Sequence, residues 1–166
     1  MYFFVIGISA GLMFFSYLSW HKEALRPLRT PTAYASFALL AVGGLLLIND
    51  LSQPLRFLYI MNPLYLQFTS PLSWGGLNLI LCGLVSIAYL YALNKKNDKL
   101  GTTLAALAAL LALGLPVYTG FDLTVHQSRP IWNTPLIPVL FVAMAIVSGA
   151  AVSSFLAGGN AATLRM

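Results

Sequence analysis

Of the 166 residues, 59% are hydrophobic and 8% are charged, against roughly 25% charged in an average soluble domain. A soluble fold of this size leaves much of its surface in water and could not hide so much apolar surface, which excludes a soluble enzyme and points to lipid as the solvent. The formal net charge of +5 sits between apolar runs, so it reads as membrane topology rather than as nucleic-acid binding.

A bilayer-spanning helix needs about 20 mostly apolar residues. Stretches of that kind predict an all-α, polytopic transmembrane bundle of about five spans, forming a single domain over residues 1–166. The first runs from Tyr2 to Trp20; no basic region precedes it and Lys22, Arg26 and Arg29 follow it. That is the reverse of a cleavable signal peptide, so it reads as a retained span. The second runs from Pro31 to Ile48, with Thr30 as the expected N-cap and Pro31 at the first helical position. The third, Pro71 to Leu93, opens on Ser70-Pro71, and the fifth, Pro135 to Leu156, opens on Thr134-Pro135. Between them lies the fourth, Leu100 to Phe121. Cys82 is the single cysteine; inside an apolar run it reads as a small buried hydrophobe. Gly7 and Gly11 form a G-x-x-x-G, and Ala105/Ala109 and Ala108/Ala112 repeat the small-xxx-small spacing that lets helix backbones approach in lipid.

With five spans the loops alternate sides. Lys22, Arg26, Arg29, Lys95, Lys96, Lys99 and Arg165 collect on one side, and Arg56 and Arg129 on the other. The positive-inside rule then places the N-terminus outside and the C-terminus in the cytoplasm, in the cell's inner (cytoplasmic) membrane.

The outer segment from Asn49 to Thr69 is interrupted by Pro54 and Pro63 yet carries Phe57, Tyr59, Tyr65 and Phe68. It reads as an aromatic segment at headgroup level, either an interfacial belt or a docking platform for a partner. Asp50 and Asp122 follow the ends of the second and fourth spans on this outer side, where a carboxylate meets the negative end of the helix dipole and calls for a compensating neighbour. Arg56, Arg129 and His126 are the candidates, in a structural ion pair or in a functional polar site. The fourth span ends PVYTGFDLTVHQ. Pro116 removes a helix hydrogen bond and is expected to kink the last turn, Gly120 admits a close neighbour, and Tyr118, Thr119, Asp122 and His126 fall within about two helical turns. Tyrosine and histidine can hydrogen-bond carbonyl oxygens, and histidine titrates near neutrality. The set suits a redox ligand that exchanges protons with its electrons, although a Pro-kinked helix with a belt tyrosine would look the same.

DLSQPLRF (Asp50 to Phe57), TSPLSWGG (Thr69 to Gly76), YTGFDL (Tyr118 to Leu123) and RPIWNTPLIPVLF (Arg129 to Phe141) lie in order over about 100 residues. Together they resemble the NrfD/PsrC family, membrane subunits of polysulfide-reductase-like complexes. The resemblance implies a heme-free subunit that binds quinol or quinone (menaquinone or ubiquinone) and exchanges electrons with an iron–sulfur subunit docked on the outer face. It carries Tyr118 onto the Y-T-G tyrosine near the quinone, Asp50 and Arg56 onto the D-L-x-x-P-x-R loop, Trp74 onto S-P-x-S-W-G, and Arg129, Trp132 and Asn133 onto the R-P-x-W-N-T-P loop; Asp122 and His126 join by position. Family members usually carry more spans, built as two bundles, so the sequence resembles a shortened or N-terminal portion, with a further membrane subunit expected beside it. Its own chemistry offers no heme or iron–sulfur site: His21 and His126 fall on opposite sides and there is no C-x-x-C. Two other functions fit the same residues, a membrane scaffold with no quinone of its own and part of a small transporter.

Overall fold

The computed structural model describes residues 2–50, 71–124, 134 and 136–158. Their elements are α1 (Tyr2–His21), a 3-10 segment (Glu23–Leu28), α2 (Arg29–Asp50), α3 (Pro71–Asn94), α4 (Asp98–Thr124) and α5 (Leu136–Gly158). The shortest of the five long helices has 20 residues, about 30 Å at 1.5 Å per residue and so enough to cross the hydrocarbon layer. All five are long and apolar enough to span a membrane, as the sequence predicts.

The boundaries differ where tertiary contacts override local signals. Thr30 is not the N-cap of α2: Arg29 already has helical angles, and the 3-10 segment leads into it with hardly a break. Thr32 instead donates to Leu28 O at 2.6 Å and Arg29 O at 3.2 Å, stitching that junction together. Pro31 is tolerated because it falls in the first turn, where an amide has no intrahelical partner to lose. α4 starts at Asp98 rather than Leu100, with Asn97 Oδ1 accepting from the Leu100 amide at 3.5 Å. It runs on through Pro116 to Thr124, so Asp122 lies inside the helix instead of following it. α3 ends in a Schellman turn, with Asn97 N–H to Ala92 O at 3.3 Å and Lys96 in the left-handed region at φ 54°. Ser70, Pro135 and nearly all of the aromatic segment after α2 lie outside the described residues.

α1 is the central helix, packed against α2, α4 and α5, while α3 packs mainly on α4. The predicted Gly7/Gly11 pair faces α5. A Cβ on Gly11 would collide with Ala145 O and come within 2.8 Å of Gly149 Cα, so the two backbones are in direct contact. Between α1 and α2, Ser9 and Ser36 exchange hydrogen bonds: Ser9 Oγ donates to Ser36 O at 2.7 Å and Ser36 Oγ to Ser9 O at 2.8 Å. A second polar seam joins three helices. Trp20 Nε1 donates to the Tyr89 hydroxyl at 3.1 Å, Ser16 Oγ and Tyr89 Oη are 2.9 Å apart, and Ser16 Oγ reaches Arg29 O at 3.1 Å. Ser16 has one proton and spends it on Arg29 O, so Tyr89 is the donor to Ser16. Ala105, Ala108, Ala109 and Ala112 are all buried along α4, in keeping with their spacing.

The α1–α5 crossing gives the first prediction. Gly11→Leu places a side chain against backbone that cannot yield, and is expected to lower the melting temperature of the detergent-purified protein markedly or abolish its folded yield. Gly83→Ala, with nothing within 4 Å of the new Cβ, should hold the melting temperature or raise it, helix propensity adding up to about 1 kcal/mol of stability. Equal behaviour of the two variants would contradict the crossing.

Candidate functional site

The end of the bundle that carries the Tyr2 end of α1, the last turns of α2 and α4 and the first turns of α3 brings together part of the expected set. Pro116 has no amide to close onto Ala112, and the carbonyls one turn back are correspondingly less constrained. Close by, Asn78 of α3 donates from Nδ2 to Leu111 O at 3.1 Å, tying α3 to α4 beside the proline.

The three residues that follow Pro116 and Val117 each have a distinct structural role. Tyr118 lays its ring on Gly75 of α3 so closely that a Cβ there would collide with the hydroxyl-bearing edge of the ring. Thr119 is buried and turns its hydroxyl back to Pro116 O at 2.9 Å, satisfying itself within the helix. Gly120 receives the start of α5, where a Cβ would lie 2.7 Å from Pro138 N. Tyr118 Oη is buried and, among the described residues, has no hydrogen-bond partner. In an apolar setting a hydroxyl left so costs free energy on the order of 1–3 kcal/mol.

Beside the Tyr118 ring runs an apolar groove of about 670 Å³ between α3 and α4, lined among others by Trp74, Leu77, Asn78, Leu110 and Phe121. Leu110, Trp74 and Phe121 are exposed, so the groove opens toward what would be lipid. Behind the ring a void of about 10 Å³ separates Tyr118 from Tyr2, Ile6 and Leu47 of α1 and α2. The tyrosine is thus a partition between the bundle core and the groove. Asp122 stands one turn beyond it on α4, partly buried. Both Asp122 and Tyr2 are close enough to act on the tyrosine electrostatically.

Of the expected site residues, Tyr118, Asp122 and Trp74 therefore meet at one end. The backbone of Asp50 closes α2 at that same end. Arg56, His126, Arg129, Trp132 and Asn133 lie outside the described residues. Two contributors escaped the sequence reading. Asn78 could have been found as an amide in an otherwise apolar span, since such residues are costly there. Gly75 lies within the quoted S-P-x-S-W-G run, but nothing in the sequence pairs it with Tyr118.

Residues 1–163 match the family model described as "Polysulphide reductase, NrfD". The protein is 30% identical to a polysulfide reductase polypeptide of Wolinella succinogenes, over 90% of its own length and 53% of that relative's. It is 32% identical to protein NrfD of Escherichia coli, over 92% and 56%. To a tetrathionate reductase subunit of Salmonella typhimurium it is 31% identical, over 83% and 42%. The protein spans about half the length of these relatives.

Asn78→Leu keeps the γ-branched shape and deletes the interhelical bond. It is expected to destabilise the α3–α4 pair by about 0.5–1.5 kcal/mol, the range for such bonds in membranes, read as a lower melting temperature in detergent. A variant as stable as the parent would show that the bond contributes nothing net.

Proposed function

The chain belongs to the polysulphide reductase NrfD family, and from that premise we propose that it is the quinol- or quinone-interacting membrane subunit of a respiratory oxidoreductase complex. The observation that carries the reading is the buried Tyr118 hydroxyl, without a partner among the described residues, at the wall of an apolar groove open toward lipid. A quinone is a flat apolar ring with hydrogen-bond-accepting oxygens and a long apolar tail. It travels in the hydrocarbon layer, so a lateral groove with one poised hydroxyl suits it better than an aqueous cleft would.

A bound menaquinol or ubiquinol supplies two electrons and two protons; the protein's part is to place it and to take the protons. Tyr118 donates to a ring oxygen and fixes the ring's depth. Trp74 and Phe121 cover its faces from α3 and α4, and the leucines of the groove hold the tail and exclude water. Asp122, one turn nearer the bundle end, receives the proton, and His126 offers a second titratable group toward the outer face. The electrons pass to an iron–sulfur subunit docked on that face, against the segments holding Asp50, Arg56, Arg129, Trp132 and Asn133. The apolar helices anchor that assembly in the membrane.

Tyr118→Phe is the direct test, in the assembled complex. Quinol-linked turnover is expected to fall about tenfold or more, a loss of roughly 1.4 kcal/mol of transition-state stabilisation. The make-up of the complex and its turnover with an artificial electron donor should stay unchanged. Unchanged quinol turnover would remove Tyr118 from the site, and a complex insensitive to quinol analogues would leave a scaffold.

The orientation belongs to the same proposal, because it puts the Tyr118 end outside. With Cys82→Ala as background, a thiol introduced by Lys95→Cys is expected to react with a membrane-impermeant maleimide in inside-out vesicles and not in right-side-out ones. The opposite pattern would invert the topology.

A further inference from the structure

At the end of the bundle away from Tyr118, four charged side chains face one polar cleft. Glu23 and Arg26 come from the 3-10 segment, Arg29 from the start of α2 and Asp98 from the start of α4; Ser19, Trp20 and Thr102 complete the lining. The cleft measures about 260 Å³, on the order of eight waters, which is room for a small polar group.

Its walls are held in place. Trp20 is fixed by its bond to Tyr89 and by its ring edge against Gly101, where a Cβ would come within 2.7 Å of Cζ2. Arg29 lies over that indole, 3.6 Å from the ring centroid, and donates from Nη2 to Ser19 O at 3.3 Å. Its Nε is buried and has no hydrogen-bond partner among the described residues. A guanidinium stacked and tethered in this way presents its fork pre-organised for two oxygens of a carboxylate or phosphate, and an anion beside it offsets the cost of burying the charge.

The two carboxylates decide what kind of ligand fits. A simple anion would meet Glu23 and Asp98 as like charges, and a simple cation would meet Arg26 and Arg29. A ligand carrying both signs a few bonds apart satisfies all four. The level of the cleft narrows the source further. It is built from the last turn of α1 and the first turns of α2 and α4, with a tryptophan in its wall, which is where a membrane protein meets headgroups.

We propose that this cleft binds the headgroup of a phospholipid bearing a primary amine, its phosphate at Arg26 and Arg29 and its ammonium at Glu23 and Asp98. The site does not depend on the quinone reading, and its test reads lipid binding without quinol.

The full-length protein, stripped of lipid in detergent, would be titrated by native mass spectrometry with three lipids of matched acyl composition. Phosphatidylethanolamine carries the phosphate and a primary amine. Phosphatidylcholine replaces the amine with a quaternary one that donates no hydrogen bond, and phosphatidylglycerol carries no amine. Phosphatidylethanolamine is expected to bind about fivefold tighter than either. Glu23→Gln should bring that ratio close to one, and Arg26→Gln should weaken all three lipids alike; both positions are exposed at the rim, so the melting temperature should stay unchanged. Tighter binding of phosphatidylglycerol would overturn the pairing of both charge signs. Equal retention of the three lipids, a preference that survives Glu23→Gln, or lipid affinity untouched by Arg26→Gln would overturn the site. Displacement of the lipid by an equal concentration of soluble phosphoethanolamine would overturn the lipid source in favour of a free phosphate ester.

Discussion

The hydrocarbon layer supplies no hydrogen bonds and no hydrophobic drive between helices, and the whole arrangement follows from that constraint. Each backbone must close its own hydrogen bonds, hence the helices. Cohesion then depends on how closely they approach and on the few polar side chains that can bond across. α1 occupies the centre because it can be approached from several sides. Gly11 lets the α5 backbone touch it at Gly149, and Ser9 exchanges bonds with Ser36 of α2. α3 stands further out, against α4, and polar ties join it to its neighbours toward both ends: Asn78 to Leu111 at one, Tyr89 to Ser16 and Trp20 at the other. A groove between α3 and α4 is a consequence of that peripheral position.

The two ends of the bundle differ in chemistry, and each suits a different kind of ligand. Near Tyr118 the lining is apolar apart from a few polar groups, which suits something that dissolves in lipid and is recognised by one or two atoms. Around Arg29 the lining is charged in both signs, which suits something at the water boundary. The Trp20–Tyr89–Ser16 seam lies just inside the charged end. It supplies the rigidity that keeps Arg29 stacked in a region where long charged side chains would otherwise move freely.

The spans were legible because length and apolar content suffice to define them, and the Gly7/Gly11 and alanine spacings marked real packing surfaces. Tyr118 and Asp122 were legible as neighbours because one helical turn brings them together. Other features were not. Arg29 reads in the sequence as one more basic loop residue, but its role depends on Trp20 and Ser19, which only folding brings near. Thr30 has the chemistry of an N-cap, and it lost that position because the 3-10 segment and Arg29 carry the helical conformation past it. The serines have no pattern at all. Ser9, Ser16 and Ser36 fit an apolar helix without changing its hydropathy much, and nothing in their spacing names a partner on another helix.

The pairing of Gly75 with Tyr118 shows how two separated motifs become one device. S-W-G-G and Y-T-G look independent in the sequence, yet the tyrosine ring occupies the space that any larger residue at position 75 would need. With α3 backbone on one side, and Gly120 receiving Pro138 two residues on, the ring has little freedom to turn its hydroxyl toward another partner. Among the described residues the buried Tyr118 hydroxyl has no partner, whereas the Thr119 hydroxyl beside it satisfies itself within the helix. Departures of that kind, held in place by otherwise consistent packing, concentrate at functional sites. The contrast between these two adjacent residues is therefore a stronger argument for Tyr118 than its resemblance to any motif.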